Sequence, residues 1–121
     1  MQERRRYVRL KIPLEISYTI PGREPVRRKS ITKDVSPNGA RFAVEEELPK
    51  GTVLDINIKI PTSLKPIPIK ARIVWSEKES GQEKNTYDAG FEFVKIPEES
   101  KQEFFQYLCN LMYDQLKNLN I

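Results

Sequence analysis

Residues 10–20 read LKIPLEISYTI, and every even-numbered side chain in this stretch is apolar. The odd-numbered positions between them are Lys11, Pro13, Glu15, Ser17 and Thr19. Successive side chains of a β-strand point to opposite faces, so this alternation predicts a strand with one buried and one solvated face. Pro21 and Gly22 follow directly and are expected to end the strand in a turn.

The same period of two recurs along the chain. Apolar residues alternate at 54–60, 67–75 and 87–93, and shorter candidate strands cover 28–34 and 40–44. On this pattern Trp75 shares the buried face with Ile73. Short strands separated by turns indicate an antiparallel barrel or sandwich, and a barrel is favoured because closure removes exposed strand edges. We therefore predict an all-β protein, a six-stranded antiparallel barrel over residues 10–95.

The period changes after Pro97. Acidic residues at 98 and 99 suit a first helical turn, and apolar residues then recur at helical spacing, namely Phe104, Phe105, Leu108, Leu111, Met112, Leu116 and Leu119. This predicts one C-terminal α-helix over 97–118. The helix either closes one end of the barrel or mediates a homodimer, and Cys109 is then a packing or interface residue. The chain is predicted to form a single domain, residues 1–121.

The composition excludes several classes of function. The chain has 121 residues, no His and one Cys. Without His it lacks the commonest general base and the commonest metal ligand, and one Cys cannot form an internal disulfide or a Cys-cluster zinc site. The acidic run at 45–47 is typical of solvated charge. We therefore expect no enzyme activity, no metal and no cofactor.

The sequence also predicts a soluble, cytoplasmic protein. No apolar run approaches the roughly 20 residues that cross a bilayer, and the N-terminus is charged where a signal peptide is apolar. Residues 1–30 carry nine basic residues against three acidic ones, whereas the whole chain has a net charge of only +4. The basic leading end is either the site of an anionic partner or a solubilising tail.

The leading end contains an RxxxR pattern in Arg5-Arg6-Tyr7-Val8-Arg9, with Arg4 directly before it. Two guanidinium groups at this separation can clamp a phosphate, or the N7 and O6 acceptors of a guanine. The pattern arises easily by chance in an arginine-rich chain, and residues 23–27 contain a second match.

A second motif, (D/N)xSxxG, occurs in Asp34-Val35-Ser36-Pro37-Asn38-Gly39. It arises by chance far less often than the arginine pattern. The carboxylate can accept from the N1 and N2 hydrogens of guanine, the hydroxyl adds a polar contact, and the glycine permits a close turn. All these residue types also favour turns, so a plain hairpin turn is the alternative.

The two motifs in this order resemble the PilZ domain family. RxxxR precedes the first predicted strand, and (D/N)xSxxG lies between the second and third. The segment 71–75, ARIVW, is similar to the family's VxW strand, and 87–93, YDAGFEF, is similar to its GxxF strand. The resemblance runs from Arg4 to about Val94. It implies a six-stranded barrel that serves as a bacterial receptor for the second messenger cyclic di-GMP.

The resemblance also implies roles for individual residues. Arg5 and Arg9 would hold phosphates and guanine edges from a flexible segment, residues 1–9, while Asp34 and Ser36 would read a guanine. Gly39 would allow the ligand's approach. The family associates an arginine at the position of Arg4 with an intercalated pair of ligand molecules. The secondary candidates are Arg6, Arg41 and Trp75.

Two secondary candidates have alternatives. Trp75 would stack on a guanine or cover the barrel core, and Arg41 would contact the ligand or face water. Ligand binding would order the leading segment over the barrel and change the surface offered to an unidentified downstream protein.

Two other functions compete with this one. The first is a PilZ-like protein–protein adaptor that binds no nucleotide, although such members have degraded motifs and this chain has both. The second is a small nucleic-acid-binding barrel of OB type. The basic residues cluster instead of tracking a groove, and the sequence offers no row of aromatics for base stacking, so we expect no nucleic acid partner.

Overall fold

The alternating stretches form a closed barrel in the computed structural model. The structure describes residues 8–22, 26–81 and 85–119, and at residues 118 and 119 it describes the backbone only. Its six strands are β1 (Glu15–Thr19), β2 (Arg28–Ser36), β3 (Gly39–Val44), β4 (Val53–Ile58), β5 (Ile67–Lys78) and β6 (Tyr87–Lys95). Neighbouring strands are antiparallel, and the sheet closes in the order β1-β2-β3-β6-β5-β4. The predicted six-stranded antiparallel barrel is confirmed.

The first alternating stretch is buried as predicted, but only part of it is a strand. Leu10 and Leu14 are buried, yet β1 begins at Glu15, and Leu10 forms an isolated bridge with Val35. Between them the Thr32 hydroxyl accepts a hydrogen bond from the Leu14 amide and donates one to the Ile12 carbonyl, both at 2.7 Å. A side chain therefore replaces part of the strand ladder beside Pro13, which has no amide hydrogen to donate.

The core consists of the inward-facing side chains of all six strands. Phe42 of β3 and Phe91 of β6 stack with ring centroids 4.2 Å apart and an interplanar angle of 5°. Leu54, Ile56 and Ile58 of β4 are buried on the same side of the sheet. The period of two therefore identified the core correctly on these strands.

The strand pairing shifts register at three points, and two of these bulges change which side chains face outward around Asp34 and Trp75. Ile73 pairs with Phe91 and Trp75 pairs with Gly90, so Val74 is an extra residue in β5. The bulge reverses the alternation, and Trp75 is 39% exposed. The alternation in the sequence, which places Trp75 on one face with Ile73, therefore does not continue past the bulge. A second register shift, between Thr32 and Asp34 of β2, makes Lys33 the extra residue there.

The predicted helix is present as α1 (Glu98–Leu119). Phe104 and Leu108 are buried, and Phe104 packs edge-on against Phe93 of β6 with ring centroids 5.9 Å apart. Phe105 and Leu116, predicted on the buried face, are exposed. Cys109 is exposed as well, so it does not pack in the core. None of the described helical residues forms a stretch long and apolar enough to cross a membrane.

Candidate functional site

Backbone hydrogen bonds attach the segment before β1 to β2. The Leu10 amide donates to the Val35 carbonyl at 2.8 Å, and the Val35 amide donates to the Leu10 carbonyl at 2.9 Å. The Leu10 side chain is buried in the core at this point. These contacts place Arg9 beside Asp34 on the outer surface of the barrel.

Arg9 and Asp34 form a close ion pair. Arg9 Nε donates to Asp34 Oδ1 at 2.7 Å, and Nη2 lies 2.6 Å from the same oxygen. The two side chains are 17% and 10% exposed, so the pair is largely screened from solvent. The last arginine of RxxxR and the first residue of (D/N)xSxxG, 25 residues apart, are thus brought together.

Arg41 of β3 lies on the other side of Asp34, because the bulge at Lys33 sets Asp34 opposite Arg41. Its main partner is Asp88 of β6. Arg41 Nε lies 3.1 and 3.0 Å from the two carboxylate oxygens of Asp88, and Nη2 donates to Oδ2 at 2.7 Å. Arg41 Nη1 lies 3.9 Å from Asp34 Oδ2. These hydrogen bonds to Asp88 raise the pKa of the Arg41 guanidinium further.

Lys33 extends this network to the end of β5. Its Nζ lies 2.6 Å from Glu79 Oε2 and 3.2 Å from Asp88 Oδ1, and the Thr86 hydroxyl donates to Glu79 Oε1 at 2.8 Å. Burial acts to raise the pKa of Asp88, but hydrogen bonds from Arg41 and Lys33 outweigh it and lower the pKa. The hydrogen bond from Lys33 likewise lowers the pKa of Glu79. Both carboxyl groups are therefore ionised at neutral pH.

The indole of Trp75 packs directly against Gly90, because residue 90 has no side chain. A Cβ placed on Gly90 would overlap the indole ring at its nitrogen. The indole borders a cavity of about 140 Å³, lined by Arg9, Asp34, Arg41, Val74, Trp75, Gly90 and Phe91. Trp75 is too exposed to lie inside the barrel, and its stacking on a guanine stays a prediction.

Ser36 and Gly39 shape the turn between β2 and β3. Ser36 is fully buried and its hydroxyl donates to Asn38 Oδ1 at 2.7 Å. Gly39 lies so close to β6 that a Cβ there would overlap the Phe91 carbonyl oxygen. Neither residue lines the cavity, and their contact with a ligand stays a prediction.

Arg4, Arg5 and Arg6 lie outside the described residues, as does most of the predicted flexible segment 1–9. Conversely, the structure adds Lys33, Glu79 and Asp88, which no motif marked, and it gives a role to Gly90, the glycine of the GxxF segment. Asp88 and Gly90 both lie in the segment 87–93, but their place beside Arg41 follows only from the pairing of β3 with β6. Within the part of the chain that the structure describes, no cluster of potential metal ligands occurs.

The site therefore combines guanidinium donors, one carboxylate and an exposed aromatic plane around a small cavity. Such groups bind anions, hydrogen-bond donors and flat rings respectively, so the site is chemically suited to a ligand that carries all three. The sequence profile of the PilZ domain matches residues 3–109. The chain belongs to the PilZ domain family, which is a family of ligand-binding receptors, and the predicted resemblance is confirmed.

Solved structures agree with this assignment. The PilZ domain of YcgR from Escherichia coli with c-di-GMP superposes with a TM-score of 0.70 at 15% identity, covering 98% of both chains. The Bacillus subtilis inhibitor of motility MotI/DgrA superposes with a TM-score of 0.73 at 18% identity, covering 93% of this chain and 53% of that one. A K. pneumonia MrkH–c-di-GMP complex superposes with a TM-score of 0.75 at 13% identity, covering 97% of this chain and 56% of that one.

At these identities the likeness shows the fold alone. The chain spans about half the length of MotI and MrkH and nearly all of the YcgR PilZ domain. No curated protein sequence matches it significantly.

Proposed function

We propose that this chain is a cytoplasmic cyclic di-GMP receptor without catalytic activity. The observation that carries the proposal is the convergence of Arg9 and Asp34, one from each motif, beside Trp75 in one cavity. Two of the structures that share its fold are described as c-di-GMP complexes.

The chemistry of the ligand matches the groups that line the cavity. Cyclic di-GMP carries two anionic phosphates and two guanines. Guanidinium groups of Arg9 and Arg41 suit phosphate oxygens or the N7 and O6 of guanine. Asp34 Oδ2 suits the N1 and N2 hydrogens of guanine, and the indole of Trp75 offers a stacking surface.

The size of the cavity limits how much ligand it encloses. Its volume of about 140 Å³ is below the roughly 300 Å³ at which drug-sized ligands are usually enclosed. We therefore propose that one guanine enters it while the rest of the dinucleotide lies on the outer surface. There Arg4 and Arg5, together with the rest of residues 1–8, would close over the phosphates, and an intercalated second ligand molecule would use the same arginines.

In this proposal Arg9 stays in place while the residues before it close over the ligand. Arg9 is already paired with Asp34, so the part of the segment that rearranges on binding is residues 1–8. The resulting surface would be recognised by a downstream protein, and a homodimer through α1 stays a separate prediction.

Isothermal titration calorimetry with cyclic di-GMP tests the proposal. We expect the wild type to bind and Asp34→Asn to weaken binding at least about tenfold, the scale of a lost hydrogen bond to a charged group. Arg72→Met is the matched control, because Arg72 forms a similar pair with Glu92, 2.7 Å from Nε to Oε1, away from the cavity.

The control variant should bind as the wild type does. A flat wild-type trace would reject the receptor and favour the adaptor that binds no nucleotide. Tighter binding of single-stranded oligonucleotides than of cyclic di-GMP at physiological salt would instead favour the OB-type alternative.

A further inference from the structure

Arg41 lies between two carboxylates and engages them unequally. It makes close contacts with Asp88, the shortest at 2.7 Å, whereas its nearest approach to Asp34 is 3.9 Å, from Nη1 to Oδ2. Nε and Nη2 are both directed at Asp88. Arg41 is thus held back from Asp34 by about one ångström beyond hydrogen-bond length.

The two oxygens of Asp34 differ in the same way. Oδ1 accepts a hydrogen bond from Arg9 Nε and is also in close contact with Arg9 Nη2. Oδ2 accepts no hydrogen bond from any residue that the structure describes, and its residue, Asp34, borders the cavity with Trp75. In the proposed function, Oδ2 is the acceptor that a guanine would use.

We propose that Asp88 is a positioning residue of the ligand site. By holding Arg41, it keeps the guanidinium off Asp34 Oδ2 and leaves that oxygen open to the N1 and N2 hydrogens of guanine. This inference rests on the proposed function and adds to it a residue that contacts no ligand itself.

The physical reason is a competition between two carboxylates for one cation. A guanidinium binds a carboxylate best through two parallel hydrogen bonds, and Asp88 offers Arg41 that geometry. Without the charge at 88, Asp34 becomes the nearest carboxylate to Arg41, and the side chain of Arg41, 40% exposed, is free to move toward it. A guanine would then have to displace a charge-assisted hydrogen bond before it could bind.

Lys33 and Glu79 keep Asp88 in place. Lys33 Nζ lies 3.2 Å from Asp88 Oδ1, whereas Nη2 of Arg41 donates to the other oxygen, Oδ2. Glu79 in turn holds Lys33, with Oε2 2.6 Å from Nζ. The Asp88 side chain is only 14% exposed. The lowered pKa of Asp88 keeps it charged at neutral pH.

A double-mutant cycle in calorimetric titrations tests the inference. Asp88→Asn preserves shape but removes the charge, and we expect it to weaken cyclic di-GMP binding about tenfold. In the Arg41→Met background the same substitution should cause no further loss of affinity, because the competing cation is gone. Glu92→Gln, which removes the charged partner of Arg72 on the same strand, is the control and should leave affinity unchanged.

Two results would overturn the inference: wild-type affinity in Asp88→Asn, or a double variant that binds clearly more weakly than Arg41→Met alone. A crystal structure of unliganded Asp88→Asn gives an answer that needs no ligand. We expect Arg41 Nη1 within hydrogen-bond distance of Asp34 Oδ2, and an Arg41 that stays in place or turns to solvent contradicts it. Absence of binding by the wild type itself would reject the proposed function, while this structure still decides where Arg41 goes.

Discussion

At the scale of single residues, the site depends on a glycine that was part of no predicted function. Gly90 lets the indole of Trp75 lie against β6, and Trp75 in turn forms a wall of the cavity. Gly39 has a similarly close neighbour, but there the obstacle is the carbonyl oxygen of Phe91, which belongs to the backbone. The two glycines should therefore tolerate a methyl group very differently.

Gly90→Ala should displace Trp75 and leave the barrel folded, because an exposed side chain can rotate away. We expect the fluorescence of Trp75, the single tryptophan of the chain, to shift, and cyclic di-GMP affinity to fall about tenfold as stacking is lost. Gly39→Ala is the comparison. It should lower the free energy of unfolding by about 1–3 kcal/mol, since a backbone cannot rotate away. Unchanged emission and affinity in Gly90→Ala would contradict this role of Gly90.

At the scale of elements, the segment before β1 and the two bulges bring the site together. Leu10 and Thr32 fasten residues 10–14 to β2, the bulge at Lys33 aligns Asp34 with Arg41, and the bulge at Val74 turns Trp75 outward. Each is a local departure from regular pairing. Bulges of this kind commonly re-aim side chains near functional sites.

Leu10→Ala should separate stability from binding. Removing a buried leucine side chain is expected to lower the free energy of unfolding by about 2–5 kcal/mol, measured by urea denaturation. Because Leu10 also anchors Arg9, affinity for cyclic di-GMP should fall even under conditions where the variant is fully folded.

The control for this prediction is Ile58→Ala, which opens a similar cavity in β4, far along the chain from Arg9. It should lose stability and keep its affinity. Equal affinities for the two folded variants would show that Leu10 does not position Arg9.

The sequence predicted the regular part of these elements and missed the irregular part. Alternation over 10–20 and 54–60 depends only on neighbours along the chain, so it identified strands and core. Trp75 continues the alternation of Ile73 in the sequence, yet the extra residue Val74 reverses its direction, and nothing in the pattern marks that insertion. The motifs predicted Arg9 and Asp34, whereas the contact of Arg41 with Asp88 depends on a pairing of β3 with β6 that only the structure supplies.

At the scale of the whole molecule, one turn connects the candidate site with the helix. The Asn38 carbonyl accepts a hydrogen bond from the Phe93 amide at 2.8 Å, and Phe93 packs against Phe104 of α1. The turn of the (D/N)xSxxG motif is therefore in direct contact with the strand that supports the helix. These contacts connect the candidate site physically with α1, so a change at the site can reach a surface that a downstream protein would recognise.

Binding of cyclic di-GMP in the cavity between Arg9, Asp34 and Trp75 can be followed residue by residue in an NMR titration of the ¹⁵N-labelled protein. The indole N–H of Trp75 gives a unique signal, and the Arg72 Nε–H serves as an internal control on the neighbouring surface. We predict that the Trp75 indole and the Gly90 amide shift and saturate while Arg72 stays unchanged. Signals that do not move at excess ligand, or shifts confined to α1 and β4, would contradict the account.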